Sequence, residues 1–268
     1  MRCLLPVMFL LFLIVSPALA EDNLFNSTAV IKGEIVRLGE EAVDVARTPL
    51  DTDNHGLVGT LAVAGAVGLT YVFDDDIRTK LQGVKSRNLD KAADAGNVLG
   101  NPFLHLGIAA AVYGGGVVAD SPQYRSIGEM MGEAVLLADA TTFLLKEGIG
   151  RGRPFTGAGK GDFKPFQFKG DYDSMPSMHT SSSFAMASVL AATSESMTLK
   201  LSYYSAAAFV GFSRMYQDKH WASDVVLGAA IGELCGRVVT NYHASRRNVT
   251  LAPLVSGDAA GLVLVGKF

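Results

Sequence analysis

Three short stretches of this chain hold residue types able to grip an anion and work on it. They are Lys146 to Pro154, "KEGIGRGRP"; Pro176-Ser177-Met178-His179; and Ser213 to Asp224, "SRMYQDKHWASD". Lys146, Arg153 and Arg214 offer cations. Arg can bind two oxygens of a phosphoryl group at once and Lys supplies a compact charge, so this donor set suits an anion with several equatorial oxygens. Glycines flank Arg151, and Pro154 forces Arg153 into extended backbone, out of the helix before it. Ser177 adds a hydroxyl, and the amides near Met178 to Ser181 would present the positive end of a helix to the same anion.

The histidines complete the set. His220 and Asp224 are four apart and share a face of a helix or of a turn leading into one. A carboxylate on one ring nitrogen would fix the tautomer and leave the other lone pair free to attack phosphorus. His179, just ahead of a Ser/Thr-rich helix start, could protonate a leaving alkoxide. Each residue alone has a plainer reading: a solvated surface charge, a helix cap, or the wet side of a helix for the Asp139-Thr142-Lys146 face. Asp218, Lys219 and Trp221 read as local packing or loop solvation. A cation site from Asp171, Asp173 and His179 has no supporting ligand spacing, so no metal is expected.

In their joint order the motifs resemble the type 2 phosphatidic acid phosphatase superfamily, with its vanadium haloperoxidases and bacterial class A acid phosphatases. Lys146 to Pro154 fits the family's Lys-x6-Arg-Pro. Ser213-Arg214, His220 and Asp224 fit its Ser-Arg-x5-His-x3-Asp in full. Pro176 to His179 fits Pro-Ser-Gly-His except that Met178 replaces Gly. The resemblance implies that His220 attacks phosphorus and carries a phosphohistidine, Asp224 orients it, and His179 acts as acid and then as base. Lys146, Arg153, Ser177, the Met178 amide and Arg214 would hold the phosphoryl oxygens. It implies a phosphate ester substrate, lipid phosphates or pyrophosphates included, and no cofactor, with vanadate as inhibitor. The alternatives are a vanadate-dependent haloperoxidase, in which vanadate is the cofactor, and a non-catalytic phosphate- or lipid-binding protein. Met178 is the point of departure, because Met adopts positive φ only at a cost.

The elements that must position these residues are helical, and an all-α bundle of this superfamily's type is expected. Apolar residues recur at helical spacing over Ser27 to Ala46, and Pro49 closes that run. Gly/Ala-rich apolar stretches follow at Leu57 to Phe73 and Leu104 to Val118, then helices at Ile127 to Lys146, Phe184 to Ala192, Ser202 to Phe212 and Val225 to Thr240. The stretches are short for a bilayer span of roughly 20 residues. A soluble bundle accounts for them, with a compact membrane bundle as the alternative. Residues 1–20 read as a secretory signal peptide, with Arg2, an apolar run and Ala18-Leu19-Ala20, which implies export to a periplasm. A helical segment over 21–56, a site-bearing core over 57–245 and a tail over 246–268 complete the organisation. The tail reads as a β-hairpin around Ser256-Gly257-Asp258.

The chain has 268 residues, 49% of them hydrophobic, and 23 basic against 26 acidic side chains. A formal charge of −3 makes nucleic acid a poor partner. Of its 2 cysteines, Cys3 lies in the signal region and Cys235 in an apolar stretch, so Cys235 reads as a small core residue rather than a nucleophile.

Overall fold

The computed structural model describes residues 24–53, 55–247, 249–256 and 259–266. The signal segment proposed for residues 1–20 lies outside them. The architecture is all-helical in its body: α1 (Leu24–Arg47), α2 (Gly56–Val72), α3 (Asp74–Gly83), α4 (Arg87–Leu99), α5 (Pro102–Val118), α6 (Pro122–Ile149), α7 (Met178–Ala192), α8 (Met197–Tyr216) and α9 (Ala222–Arg247). Two tail strands, β1 (Val249–Ser256) and β2 (Ala259–Gly266), pair antiparallel with Val249 opposite Gly266, as the tail pattern predicts.

Two helices have no counterpart in the sequence reading. Asp74-Asp75-Asp76, just past the apolar stretch that ends at Phe73, forms the first turn of α3, where carboxylates favour the positive helix end. Helix α4 starts at Ser86, whose side chain accepts from the Leu89 amide. Both are too polar for apolar periodicity to reveal. Helix α7 begins at Met178, six residues before the apolar stretch that signalled it.

The core lies where α6, α7 and α9 meet, around Met131, Ala134, Val135, Ala138, Ala185, Val189, Cys235 and Val239. Burial pushes the Cys235 thiol up to about 12, which fits a packing role. Helix α9 presses directly on α7. A Cβ on Gly232 would stand 2.1 Å from the Ser181 carbonyl oxygen, and one on Gly228 would stand 2.6 Å from that of Ser177. No side chain fits at either place, so glycine is what allows the contact.

The outer helices are different. None of the residues of α2 is buried, although the helix is apolar almost throughout, and Val58, Leu61 and Leu69 are each 64% exposed. Among the described residues no single helix is long and apolar enough to cross a membrane. Two bent pairs pass that test together: α2 with α3, at 56°, and α4 with α5, at 55°.

Candidate active site

The three sequence motifs converge at one end of the α6–α7–α9 core. Helix α6 brings Lys146 in its last turn and stops at Gly150, which caps it with φ +61. A side chain at Gly150 would run into the Lys164 carbonyl, 2.1 Å away, so only glycine turns the chain here. Arg153 follows in extended backbone, as Pro154 requires. Ser177 caps α7, Met178 and His179 open it, Arg214 lies in the last turn of α8, and His220 and Asp224 stand at the start of α9. Met178 is ordinary helical backbone and is not among the positive-φ residues, so its side chain carries no strain.

Their electrostatics show how tightly these groups gather. Burial, then Arg153, lowers Lys146 to about 7. Burial, then Arg153, lowers Arg214 to about 10. His179 falls to about 3 through burial and the charges of Arg214, Lys146 and Arg153. Burial and the same three cations, led by Arg153, depress His220 well below its usual range. Countercharge is scarce. Asp173 accepts from Arg153 Nε at 2.6 Å, while Lys146 donates to the Asp173 carbonyl and Arg214 to the neutral side chain of Asn97. The Arg214 Nε is buried with no hydrogen-bond partner among the described residues. Three cations packed this way repel one another unless an anion joins them.

The tautomer of His220 follows from one contact. Its Nδ1 lies 2.7 Å from the Ser174 carbonyl oxygen. A carbonyl only accepts, so Nδ1 carries the proton and Nε2 keeps its lone pair. The sequence reading assigned that contact to Asp224. In the structure Asp224 Oδ2 is 3.7 Å from Nδ1 and instead accepts from the Ser174 hydroxyl at 2.6 Å and from the Trp221 amide at 2.8 Å. Asp224 therefore orients His220 through Ser174, one residue in two roles. Ser174 was not singled out from sequence, and its only signal is its place two residues before Pro176.

A second missed residue is Arg151. It is fully buried and lies between two fully buried carboxylates, Asp74 at 2.7 Å and Asp224 at 2.6 Å. It also donates to Ser223 Oγ at 2.7 Å, and Trp221, Tyr71 and Phe163 surround its guanidinium. Burial raises Asp224 above the usual carboxylate range, opposed by Arg151 and the Ser174 hydroxyl. Asp74 comes from α3, so a helix invisible in the sequence pattern locks the base of the site.

Two plainer readings are corrected. Asp139 and Thr142 do not form a wet face of α6; both are buried beneath Lys146, and Asp139 Oδ1 and Thr142 Oγ1 lack partners among the described residues. Asp218 is not loop solvation, because its two oxygens bind Arg78 at 2.7 and 2.8 Å. Trp221 does pack: it is buried, and its indole donates to the Gly152 carbonyl at 3.0 Å. Asp171, Asp173 and His179 are not brought together around a common point, Asp173 being held by Arg153.

The body is all-α, and at one end of its core three cations gather beside two histidines that burial and those cations hold neutral. Comparison with known proteins bears on the fold and the family. The model of the PAP2 superfamily matches residues 130–248, which contain all three motifs. The site-bearing stretch of this chain, residues 130–248, is thus a PAP2-superfamily sequence. The chain is 31% identical to the lipid A 1-phosphatase of Porphyromonas gingivalis over 182 residues, 67% of this chain and 37% of that protein. It thus spans little more than a third of that relative's length. Two crystal structures share the fold. LpxE of Aquifex aeolicus aligns with a TM-score of 0.51 at 20% identity, over 63% of this chain and 96% of its own. A transmembrane PAP2-type phosphatidylglycerolphosphate phosphatase of Bacillus subtilis aligns with a TM-score of 0.52 at 19% identity, over 74% and 96%.

Proposed function

We propose that this chain is a phosphatase that hydrolyses lipid phosphates through a phosphohistidine on His220, without a metal at the reacting centre. The observation that carries the reading is the proton placement on His220: Nδ1–H donates to Ser174, and Nε2 is left free beside a surplus of buried positive charge. The Nε2 lone pair forms the bond to phosphorus as the ester P–O bond breaks. The leaving alkoxide takes its proton from His179. Water then attacks phosphorus, giving up a proton to His179, and the P–N bond breaks to return the lone pair to Nε2. Lys146, Arg153, Arg214, the Ser177 hydroxyl and the first amides of α7 stabilise the equatorial oxygens of the five-coordinate state.

His179 must be protonated for the first step, yet burial, and after it the charges of Arg214, Lys146 and Arg153, hold it neutral at pH 7. A bound phosphate dianion works against both causes, because its charge offsets the three cations and favours a protonated imidazole even where water is excluded. Substrate therefore arms its own general acid.

A lipid substrate is supported by the ground around the site. An apolar cavity of about 200 Å³ lies among Leu99, Leu104, His105, Ile108, Met186 and Tyr203. It adjoins the site through His105, one of the groups acting on His179. The uncovered apolar residues of α2 suit contact with a bilayer surface, the setting in which such a substrate is held. The lipid phosphatase relatives agree with this reading.

The test is phosphate release from a lipid monophosphate in mixed micelles, with acid-quenched enzyme probed for a phosphoryl adduct. Wild-type protein should release phosphate and carry an acid-labile adduct. His220→Ala should lose both, with turnover lower by about 10⁴-fold or more. Near-normal turnover by His220→Ala would sink the mechanism.

A further inference from the structure

A second buried polar cluster lies away from the phosphoryl cradle, and its charge is of the opposite sign. Helix α1 supplies Glu34, Arg37 and Glu41, α6 supplies Glu129 and Glu133, and α9 supplies His243. Four carboxylates face one guanidinium. Arg37 lies between Glu34, Glu129 and Glu133, at 2.6 Å from Glu129 Oε1. That leaves Glu41 without a cation of its own. It is 0% exposed, and neither of its oxygens has a hydrogen-bond partner among the described residues. Glu133 is better matched, with Oε1 paired to Arg37 and Oε2 facing His243. A buried carboxylate with two bare oxygens costs several kcal/mol unless something compensates it.

The geometry shows what would. One oxygen of Glu41, one of Glu133 and a ring nitrogen of His243 all lie within 4.8 Å of one another. His243 Nε2 is 2.7 Å from Glu133 Oε2 and 3.8 Å from Glu41 Oε1. Small side-chain movements would bring these three atoms to the roughly 2.0–2.2 Å that a transition cation requires. We propose that Glu41, Glu133 and His243 form a binding site for a divalent first-row transition cation, Zn²⁺ foremost. One imidazole and two carboxylates suit such an ion, whereas Ca²⁺ and Mg²⁺ favour all-oxygen shells. The ion takes the place of the Nε2 proton that His243 donates to Glu133, so binding releases a proton. A cavity of about 460 Å³, lined by Thr240, Asn241 and His243, gives it a way in.

The role is structural. Glu133 is thirteen residues from Lys146 on α6, about 20 Å along the helix axis, so the ion is remote from phosphorus and independent of the hydrolytic reading. Among its residues whose burial is described, α1 buries only Glu41 and Val45. A metal joining α1 to α6 and α9 would clasp a helix whose described residues bury little of their apolar surface.

Full-length chain, stripped with chelator and dialysed, would be titrated separately with Zn²⁺, Co²⁺, Mg²⁺ and Ca²⁺. Bound metal per chain, thermal midpoint and the Co²⁺ visible spectrum would be measured. One Zn²⁺ per chain, a midpoint raised by several degrees and a Co²⁺ ligand-field band are expected, with little response to Mg²⁺ or Ca²⁺. Glu41→Gln and His243→Ala should each abolish all three responses while keeping wild-type helicity and turnover. Absence of Zn²⁺ uptake by wild-type chain overturns the proposal. Equal uptake by a folded variant of either kind does so as well. Should one variant fail to fold, the other together with the wild-type Co²⁺ spectrum decides the matter.

Discussion

Helices α6 and α9 each carry buried polar groups at two places, and the two places are electrostatic opposites. At one, Lys146 and Asp224 belong to a site with an excess of cations. At the other, Glu133 and His243 belong to a cluster with an excess of carboxylates. In between lies a core of Met, Ala and Val. Polar groups this deep are costly unless matched. Where every polar atom finds a hydrogen-bond partner, as along Asp74–Arg151–Asp224, the groups hold the structure in place. Where the match is incomplete, the missing charge describes the ligand: an anion at the cradle, a cation at the acidic cluster.

The sharpest way to break this comparison is to unbalance the part that is matched. Arg151→Met leaves Asp74 and Asp224 buried without their cation, and should lower stability by about 3–5 kcal/mol, read as a fall in the denaturation midpoint. A loss no larger than that of a surface arginine would mean that matched and unmatched charges do not differ here. Next in size is Ser174→Ala. It keeps the carbonyl on His220 but cuts the link to Asp224, so kcat should fall by roughly 10- to 100-fold with KM nearly unchanged. A rise in KM alone would instead place Ser174 in substrate binding.

A smaller effect comes from Lys146. With its pKa lowered to about 7, it is a cation below that pH and neutral above it. Inhibition by tungstate, a dianion across this range, should therefore weaken by about tenfold between pH 6 and 8. Lys146→Arg should flatten the dependence, because an arginine stays charged. The smallest change is expected from Met178→Gly, which restores the usual family residue. Since Met178 already sits in helical backbone, activity should stay within about twofold and stability should drop by about 1 kcal/mol or less. A large gain in activity would show that the Met side chain obstructs the cradle.

Most of the cradle was legible in the sequence because its chemistry is concentrated in three short runs. The structure brings Lys146, Arg153, His179, Arg214, His220 and Asp224 close enough to act on one another's charge. What escaped was the layer beneath. Arg151 stands between glycines, and Asp74 just beyond an apolar stretch. Neither carries a local pattern, because their meaning arises only when α3 folds against the loop after α6. The acidic cluster escaped for a related reason. Glu41, Glu133 and His243 come from three distant helices with no shared spacing. Helices α3 and α4 were missed because charge-rich segments show weak apolar periodicity. The outer apolar stretches were visible at once, but only the structure shows that α2 buries none of them.

The contact between Gly228 and Ser177 bears on the aim of the proposed reaction. His220 lies just ahead of α9, and the first amides of α7 are the groups proposed to receive the equatorial oxygens. On that reading the gap between the two helices sets how far phosphorus would travel between leaving group and nucleophile. At Gly228 that gap is set by a hydrogen atom, because a methyl carbon there would lie 2.6 Å from the Ser177 oxygen. Under the proposed mechanism the seam is a gauge block for in-line displacement: widened by one carbon, it would no longer aim His220 and the α7 amides at the same atom.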